Sequence, residues 1–128
     1  MRPRERSRTR LSRSADFERV YRQGRSVSNR HLVVYTFPNP AAREARLGLA
    51  VSRKVGGAVR RNKVKRLLRE SFARAAHGLG AGQDVVVVAR PAAGELAERD
   101  GLAGVEAALG ELLAKSALRE GAAGEAPP

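Results

Sequence analysis

The sequence predicts a single α+β domain, a sandwich of helices on a sheet, and three observations predict it. The chain has 128 residues, 42% of them hydrophobic, which is enough for one ordinary core and too apolar for wholesale disorder. Its apolar spacing switches between a helical and an alternating period. Clusters of Gly and Pro fall between those stretches, where the chain must turn. The order read from these signals is helix, two or three strands, basic helix, strand, helix, a compact α+β or α/β arrangement.

Residues 1–13 form an arm with Arg at positions 2, 4, 6, 8 and 10, whose mutual repulsion predicts a flexible segment. Ser14 is a good N-cap for a first helix in which Phe17, Val20 and Tyr21 share one face, and Gly24 stops it. Residues 25–29 suit a short strand. His31–Phe37 is a clearer one, with Val33, Tyr35 and Phe37 on one face and Leu32, Val34 and Thr36 on the other. Pro38-Asn39-Pro40 turns the chain. Over residues 46–53, Leu47, Leu49 and Val51 alternate with Gly48, Ala50 and Ser52, giving a strand with one small-residue face. After Gly56-Gly57 a helix runs from Ala58 to about Ala76, ended by Gly78, Gly80 and Gly82. Val85–Val88 is an unbroken β-branched run, typical of a strand buried on both faces, and Pro91 stops it. Residues 100–118 read as a last amphipathic helix with Val105, Leu109, Leu112 and Leu113 inward, followed by a disordered tail over 119–128.

Charge narrows the function classes. The net charge is +12, and residues 1–76 hold 21 basic and 5 acidic side chains against 4 and 8 in residues 77–128. A field this lopsided draws a polyanion to one part of the molecule, and nucleic acid is the leading candidate. A membrane surface is the rival, but no basic helix here offers a large aromatic or Leu face for insertion. No apolar run approaches the roughly 20 residues that span a bilayer. The arginines at the start have no apolar stretch behind them, which argues against a secretory signal; an organelle transit peptide is the alternative. The absence of cysteine leaves neither disulfides nor Cys-held zinc and fits a reducing cytoplasm.

The richest segment is Val59–Phe72, six of whose fourteen residues are basic. On a helix, Val64, Leu67, Leu68, Ser71, Phe72 and Ala75 fall within an arc of roughly 140°, while Asn62, Lys65, Arg66 and Arg69 fall in an opposite arc of about 100°. An ordinary solvated face mixes signs at i,i+4 spacing, but Lys65 meets Arg61 and Arg69. Such like-charge neighbours cost helix stability, and a polyanion would offset the repulsion. Arg forks suit phosphate oxygens, and Asn62 can donate to a phosphate or a 2′-hydroxyl.

The segment Val55–Phe72 resembles the signature helix of bacterial ribonuclease P proteins, with their Arg-Asn-Arg core matched here by Arg61-Asn62-Lys63. Lys63 keeps the charge of the usual Arg and loses its fork. Asp16–Tyr21, Leu47–Lys54 and Val85–Arg90 also match, so the resemblance covers about residues 10–118. It implies a two-layer α-β-β-β-α-β-α sandwich, ribosomal protein S5 domain 2-like. It also implies the accessory subunit of a tRNA 5′-maturation endoribonuclease, a hydrolase in which one protein joins one catalytic RNA in the cytoplasm. That complex removes the 5′ leader of precursor tRNA, with Mg²⁺ held mainly by the RNA. The helix residues Arg60, Arg61, Asn62, Lys63, Lys65, Arg66 and Arg69 are then expected on the catalytic RNA.

A cleft between the first helix and the sheet is expected to hold the leader. Phe17, Tyr21 and Tyr35 are three of only five aromatics in the chain, and single strands bind by stacking on aromatics beside a cationic groove. Arg25, Arg53, Lys54 and Arg90 would supply the cations. Plain core packing is the alternative for Phe17 and Tyr21, and both roles hold if the rings line an edge of the core.

No catalytic or metal-ligating set is expected on the protein itself. Metal-dependent phosphodiester cleavage needs clustered carboxylates, whereas Glu5, Asp16, Glu18, Glu44 and Glu70 are scattered. His31 and His77 have no partner spacing and read as structural. The Gly78–Gly82 run follows a helix, the reverse of a dinucleotide-binding order. The rival readings are a ribosomal-RNA-binding protein, a DNA-binding regulator with its basic helix in the major groove, and an autonomous nuclease.

Overall fold

A computed structural model of the chain describes residues 10–11, 14–41, 45–75 and 82–125. In order it contains α1 (Ser14–Gln23), β1 (Arg25–Ser28), β2 (Leu32–Pro38), β3 (Arg46–Val51), a 3₁₀ turn (Arg53–Val55), α2 (Ala58–Ala75), β4 (Gln83–Ala89) and α3 (Ala92–Glu125). This is the expected α-β-β-β-α-β-α order of an α+β fold.

The four strands form one sheet in the order β1-β2-β4-β3. β1 and β4 each run antiparallel to β2, and β3 runs parallel to β4. The central position of β4 explains its composition: Val85, Val86 and Val87 are all fully buried, with helices above and below. A parallel β3–β4 pair needs a long crossover connection, and α2 lies within it.

The main sandwich packs α2 and α3 on one face of the sheet. Val64, Leu67, Leu68 and Phe72 of α2 meet Leu96, Val105, Leu109 and Leu112 of α3 over Leu32, Val34, Leu47, Val85 and Val87. The apolar arc expected for α2 is the buried one, with Ser71 included. The opposite face carries α1, where Val20 and Leu11 pack on Val86 with Phe17, Tyr35, Phe37 and Val88 around them. The small-residue face of β3 makes room for α1. A Cβ at Gly48 would lie 2.7 Å from Cζ of Phe17, so a larger residue there would push the ring away.

Three segments differ from expectation. The last helix begins at Ala92 rather than near residue 100. Pro91 ends β4 but also suits the entry of a helix, and Ala93, Leu96 and Ala97 at i, i+3 and i+4 are buried. Gly101, with φ 60° and ψ −145°, kinks α3 just where the sequence placed its start. The helix also continues to Glu125, beyond the expected end at 118. Residues 52–53 leave β3 for the 3₁₀ turn, where the Ser52 hydroxyl accepts from the Lys54 amide at 3.3 Å. Of the arm, Arg10 and Leu11 lie beside β3, with the Leu11 amide donating to the Leu47 carbonyl at 2.9 Å. The remainder of the arm, His77, Gly78, Gly80 and residues 126–128 lie outside the described residues.

Candidate nucleic-acid interface

The helix α2 turns its basic residues in two directions. Arg60 and Arg74 face α3. Arg60 makes a two-pronged pair with Glu98 at 2.7 and 3.1 Å and reaches the Val55 carbonyl at 3.4 Å. The pairing raises the Arg60 pKa and holds the Glu98 carboxyl below its ordinary value. Arg74 meets Glu106 at 3.7 Å. Arg61 caps its own approach loop, donating to the Gly56 carbonyl at 3.1 Å.

Asn62, Lys63, Lys65, Arg66 and Arg69 are different. Asn62, Arg66 and Arg69 are exposed, and Lys63 and Lys65 are half-buried. Among the described residues no carboxylate forms an ion pair with any of these four cations. Burial and then the nearby charge of Arg10 push the Arg69 pKa down. Val59, 85% exposed at the start of this stripe, is an apolar side chain that the sequence reading did not single out.

The second site lies on the opposite face of the sheet. Phe17 and Tyr21 project from α1, with ring centroids 6.2 Å apart, and Tyr21 meets Tyr35 edge-on at 4.9 Å. Tyr21 is 40% exposed, while burial and then Tyr35 raise its pKa. The rings therefore close the edge of a core, and Tyr21 also presents surface. Beside them the strand register aligns Ser28, Val33, Val88 and Ala50 in one row across the sheet. The last three are half-buried, making an apolar floor next to an aromatic wall.

The expected cations divide. Arg53 and Lys54 are exposed in the turn after β3. Arg90 is exposed just beyond β4 and donates to the Asn29 carbonyl at 3.2 Å. Arg25 pairs with Thr36, whose side chain is on the α2–α3 side, so strand alternation sets Arg25 apart from the tyrosine face. His31 lies just before β2, one residue ahead of where the strand starts and so outside the strand the sequence predicted it to open, with its amide donating to the Asn29 side chain at 2.9 Å.

A buried carboxylate seats α1. Asp84 is fully buried and faces α1 at the end of the sheet. It accepts from Arg46 Nε and Nη2 at 2.9 and 3.0 Å, from Asn39 Nδ2 at 3.3 and 3.2 Å, and from Arg19 Nη2 at 3.5 Å. Arg19 also bonds Asp16 at 3.0 Å and lies over the Phe37 ring at 5.7 Å. The sequence reading missed this group. Its signal was an acid opening an otherwise apolar strand, a position that needs buried partners.

Among the described residues no three His, Cys, Asp or Glu side chains are grouped to hold a metal ion, and no helix is long and apolar enough to cross a membrane. A two-sided α+β domain with a cationic helix on one face and an aromatic wall on the other defines a class of small basic polyanion-binding proteins. Comparison with known proteins supplies the family. The family model for ribonuclease P matches residues 6–113. The ribonuclease P protein component of Bacillus pumilus is 44% identical over 89 residues, which is 70% of this chain and 75% of that protein. Its Staphylococcus aureus counterpart is 46% identical over 88 residues, 68% of this chain and 75% of that one. The solved S. aureus RNase P protein superposes with a TM-score of 0.75 at 37% identity, covering 84% of this chain and 94% of its own. That of Thermotoga maritima gives 0.70 at 38%, covering 78% and 90%. The chain belongs to the ribonuclease P protein family, whose members are protein components of a ribonuclease that processes tRNA.

Proposed function

We propose that this chain binds the catalytic RNA of ribonuclease P through the outward stripe of α2 and holds the 5′ leader of precursor tRNA beside α1. In this reading the pair removes the leader by endonucleolytic hydrolysis and generates the mature tRNA 5′ end. The RNA carries the chemistry, one protein serves one RNA, and the setting is the cytoplasm. The observation that carries the reading is the pairing of two unlike surfaces on opposite faces of one sheet. Asn62, Lys63, Lys65, Arg66 and Arg69 offer charge and donors to a phosphate backbone. Phe17, Tyr21 and Tyr35 offer stacking, which suits any base of a single strand. Arg53, Lys54 and Arg90 flank that wall.

Two carboxylates near the aromatic wall, Asp84 and Asp16, are already engaged by cationic and amide groups. Asp84 is enclosed by Arg46, Asn39 and Arg19, and Asp16 is held by Arg19. In this reading Mg²⁺ is held mainly by the RNA, and the protein's part is to position and neutralise.

The test is cleavage of a 5′-extended precursor tRNA at low Mg²⁺ with the protein alone, a bacterial ribonuclease P RNA alone, and both. Efficient cleavage at the mature 5′ end by the pair alone is expected. No gain over RNA alone would turn the reading toward ribosomal RNA, and cleavage by the protein alone would overturn the assignment of chemistry. Phe17→Ala is expected to weaken capture of leader-bearing substrate over mature tRNA. Equal loss for both would remove the stacking role.

A further inference from the structure

The described end of the N-terminal arm adds a surface that the α2 motif does not include. Arg10 lies beside Leu47 in a parallel bridge, and the Leu11 amide holds it there through the Leu47 carbonyl at 2.9 Å. Side chains of neighbouring bridge partners share a face of the sheet. Leu47 points into the α2–α3 core, so Arg10 projects on that side, along the flank of α2. Leu11 points the other way and is buried in the α1 core, with its Cβ 3.0 Å from where a Cβ at Gly48 would lie. Arg10 and Leu11 are therefore pinned in register by a backbone bond and an apolar anchor.

The flank of α2 that Arg10 approaches carries Arg61, Lys65 and Arg69, which step round the helix by about 40° each. Arg10 is close enough to Arg69 for its charge to disfavour the Arg69 cation. Among the described residues neither has a carboxylate partner. Two guanidinium groups drawn together by an apolar anchor repel each other unless an anion sits between them. Each fork can take two oxygens of such an anion.

We propose that Arg10 and Arg69 together bind one phosphodiester group of an RNA strand, so that the RNA-facing surface runs from α2 round the outer edge of β3. The proposal rests on the reading that α2 faces the catalytic RNA, and it adds a residue outside the helix motif. A phosphate shared by two arginines predicts coupling. Once either fork is gone the other holds the group poorly, so the second loss costs less than the first.

The experiment is a double-mutant cycle on the full chain, measuring affinity for a bacterial ribonuclease P RNA over a range of salt. Arg10→Gln and Arg69→Gln are each expected to weaken binding about tenfold, the order set by one charge-assisted contact. The double variant is expected to fall well short of the product of the two losses. The slope of log affinity against log salt should drop by about one in each single variant and by less than two in the double. Arg66→Gln, away from the pair, should combine with Arg10→Gln by simple multiplication. Losses at positions 10 and 69 that multiply, or an Arg10→Gln variant that binds like wild type while Arg66→Gln weakens, would overturn the shared site and leave the α2 reading standing. If neither Arg66→Gln nor Arg69→Gln weakens binding, the α2 reading itself falls. Unchanged circular dichroism and unfolding midpoints separate these outcomes from loss of fold.

Discussion

Replacing Asp84 by Ala removes a fully buried charge, the only one among the described residues, that joins β3, β4, α1 and the turn after β2. The carboxylate's strongest partner is Arg46, which grips both oxygens at 2.9 and 3.0 Å and is itself mostly buried. Without Asp84 that guanidinium keeps only the more distant charge of Asp16, and the Asn39 amide loses its acceptor. Breaking a buried pair by removing one partner costs about 3–5 kcal/mol. The Arg19 contact adds little, because it is long and its guanidinium is partly in water. Asp84→Asn keeps the volume and one acceptor, so its cost should be smaller, about 2 kcal/mol. Urea unfolding followed by circular dichroism reads both. With an m-value of about 2 kcal/mol per M, the Ala midpoint should fall by roughly 2 M and the Asn midpoint by roughly 1 M. An Ala variant within about 1 kcal/mol of wild type would refute the reasoning, for Arg46 and Asn39 would then be satisfied by water without rearrangement.

Two further outcomes are expected. Arg60→Ala should change the salt slope of RNA binding less than Arg66→Ala does, because Glu98 already neutralises Arg60; an equal change, measured by titration at four or more salt concentrations, would place Arg60 on the RNA. Ser71→Ala should leave stability unchanged or raise it by about 1 kcal/mol, since the Ser71 hydroxyl is buried without a hydrogen-bond partner. A midpoint shift showing a loss of more than about 1 kcal/mol would mean that the hydroxyl has a partner after all.

The elements most legible in the sequence were those whose period was strong. The buried arc of α2 and the two faces of β2 and β3 follow from local spacing, because each repeats its pattern over several residues and one face of each must leave water. The first turns of α3 were not legible. Pro91 carries two meanings, strand stop and helix entry, and the choice depends on Ala93, Leu96 and Ala97 finding the core, which is a tertiary matter. The stacking wall was half legible. Phe17 and Tyr21 at i and i+4 predict a shared face, but their approach to Tyr35 depends on α1 lying across Gly48. Least legible were the charge partners. Nothing local links Arg60 to Glu98 or Arg46 to Asp84, each pair 38 residues apart in the chain. Arg60 joined the expected RNA-facing set through the family resemblance, not through the helical wheel, whose outward arc was Asn62, Lys65, Arg66 and Arg69.

The Arg60–Glu98 pair bears on why the acidic end of the chain matters to a basic protein. The sequence halves carry opposite balances, and folding sets α3 directly against α2. Glu98 and Glu106 of α3 meet Arg60 and Arg74, the two arginines on the inner flank of α2. Among the described residues, Lys63 stays on the α3 side, where its charge reaches Glu98, while Asn62, Lys65, Arg66 and Arg69 turn away from α3 toward the outer flank and the edge of β3, where Arg10 joins them. The same ion pairs therefore hold the two helices together and confine the unneutralised charge to one side. A helix this basic with no acidic neighbour would attract polyanions all round and fix no orientation. With α3 beside it, approach along the inner flank meets paired charge and approach along the outer flank does not. On the proposed reading, orientation on an RNA surface would follow from which arginines the acidic helix has already satisfied, as much as from those it leaves free.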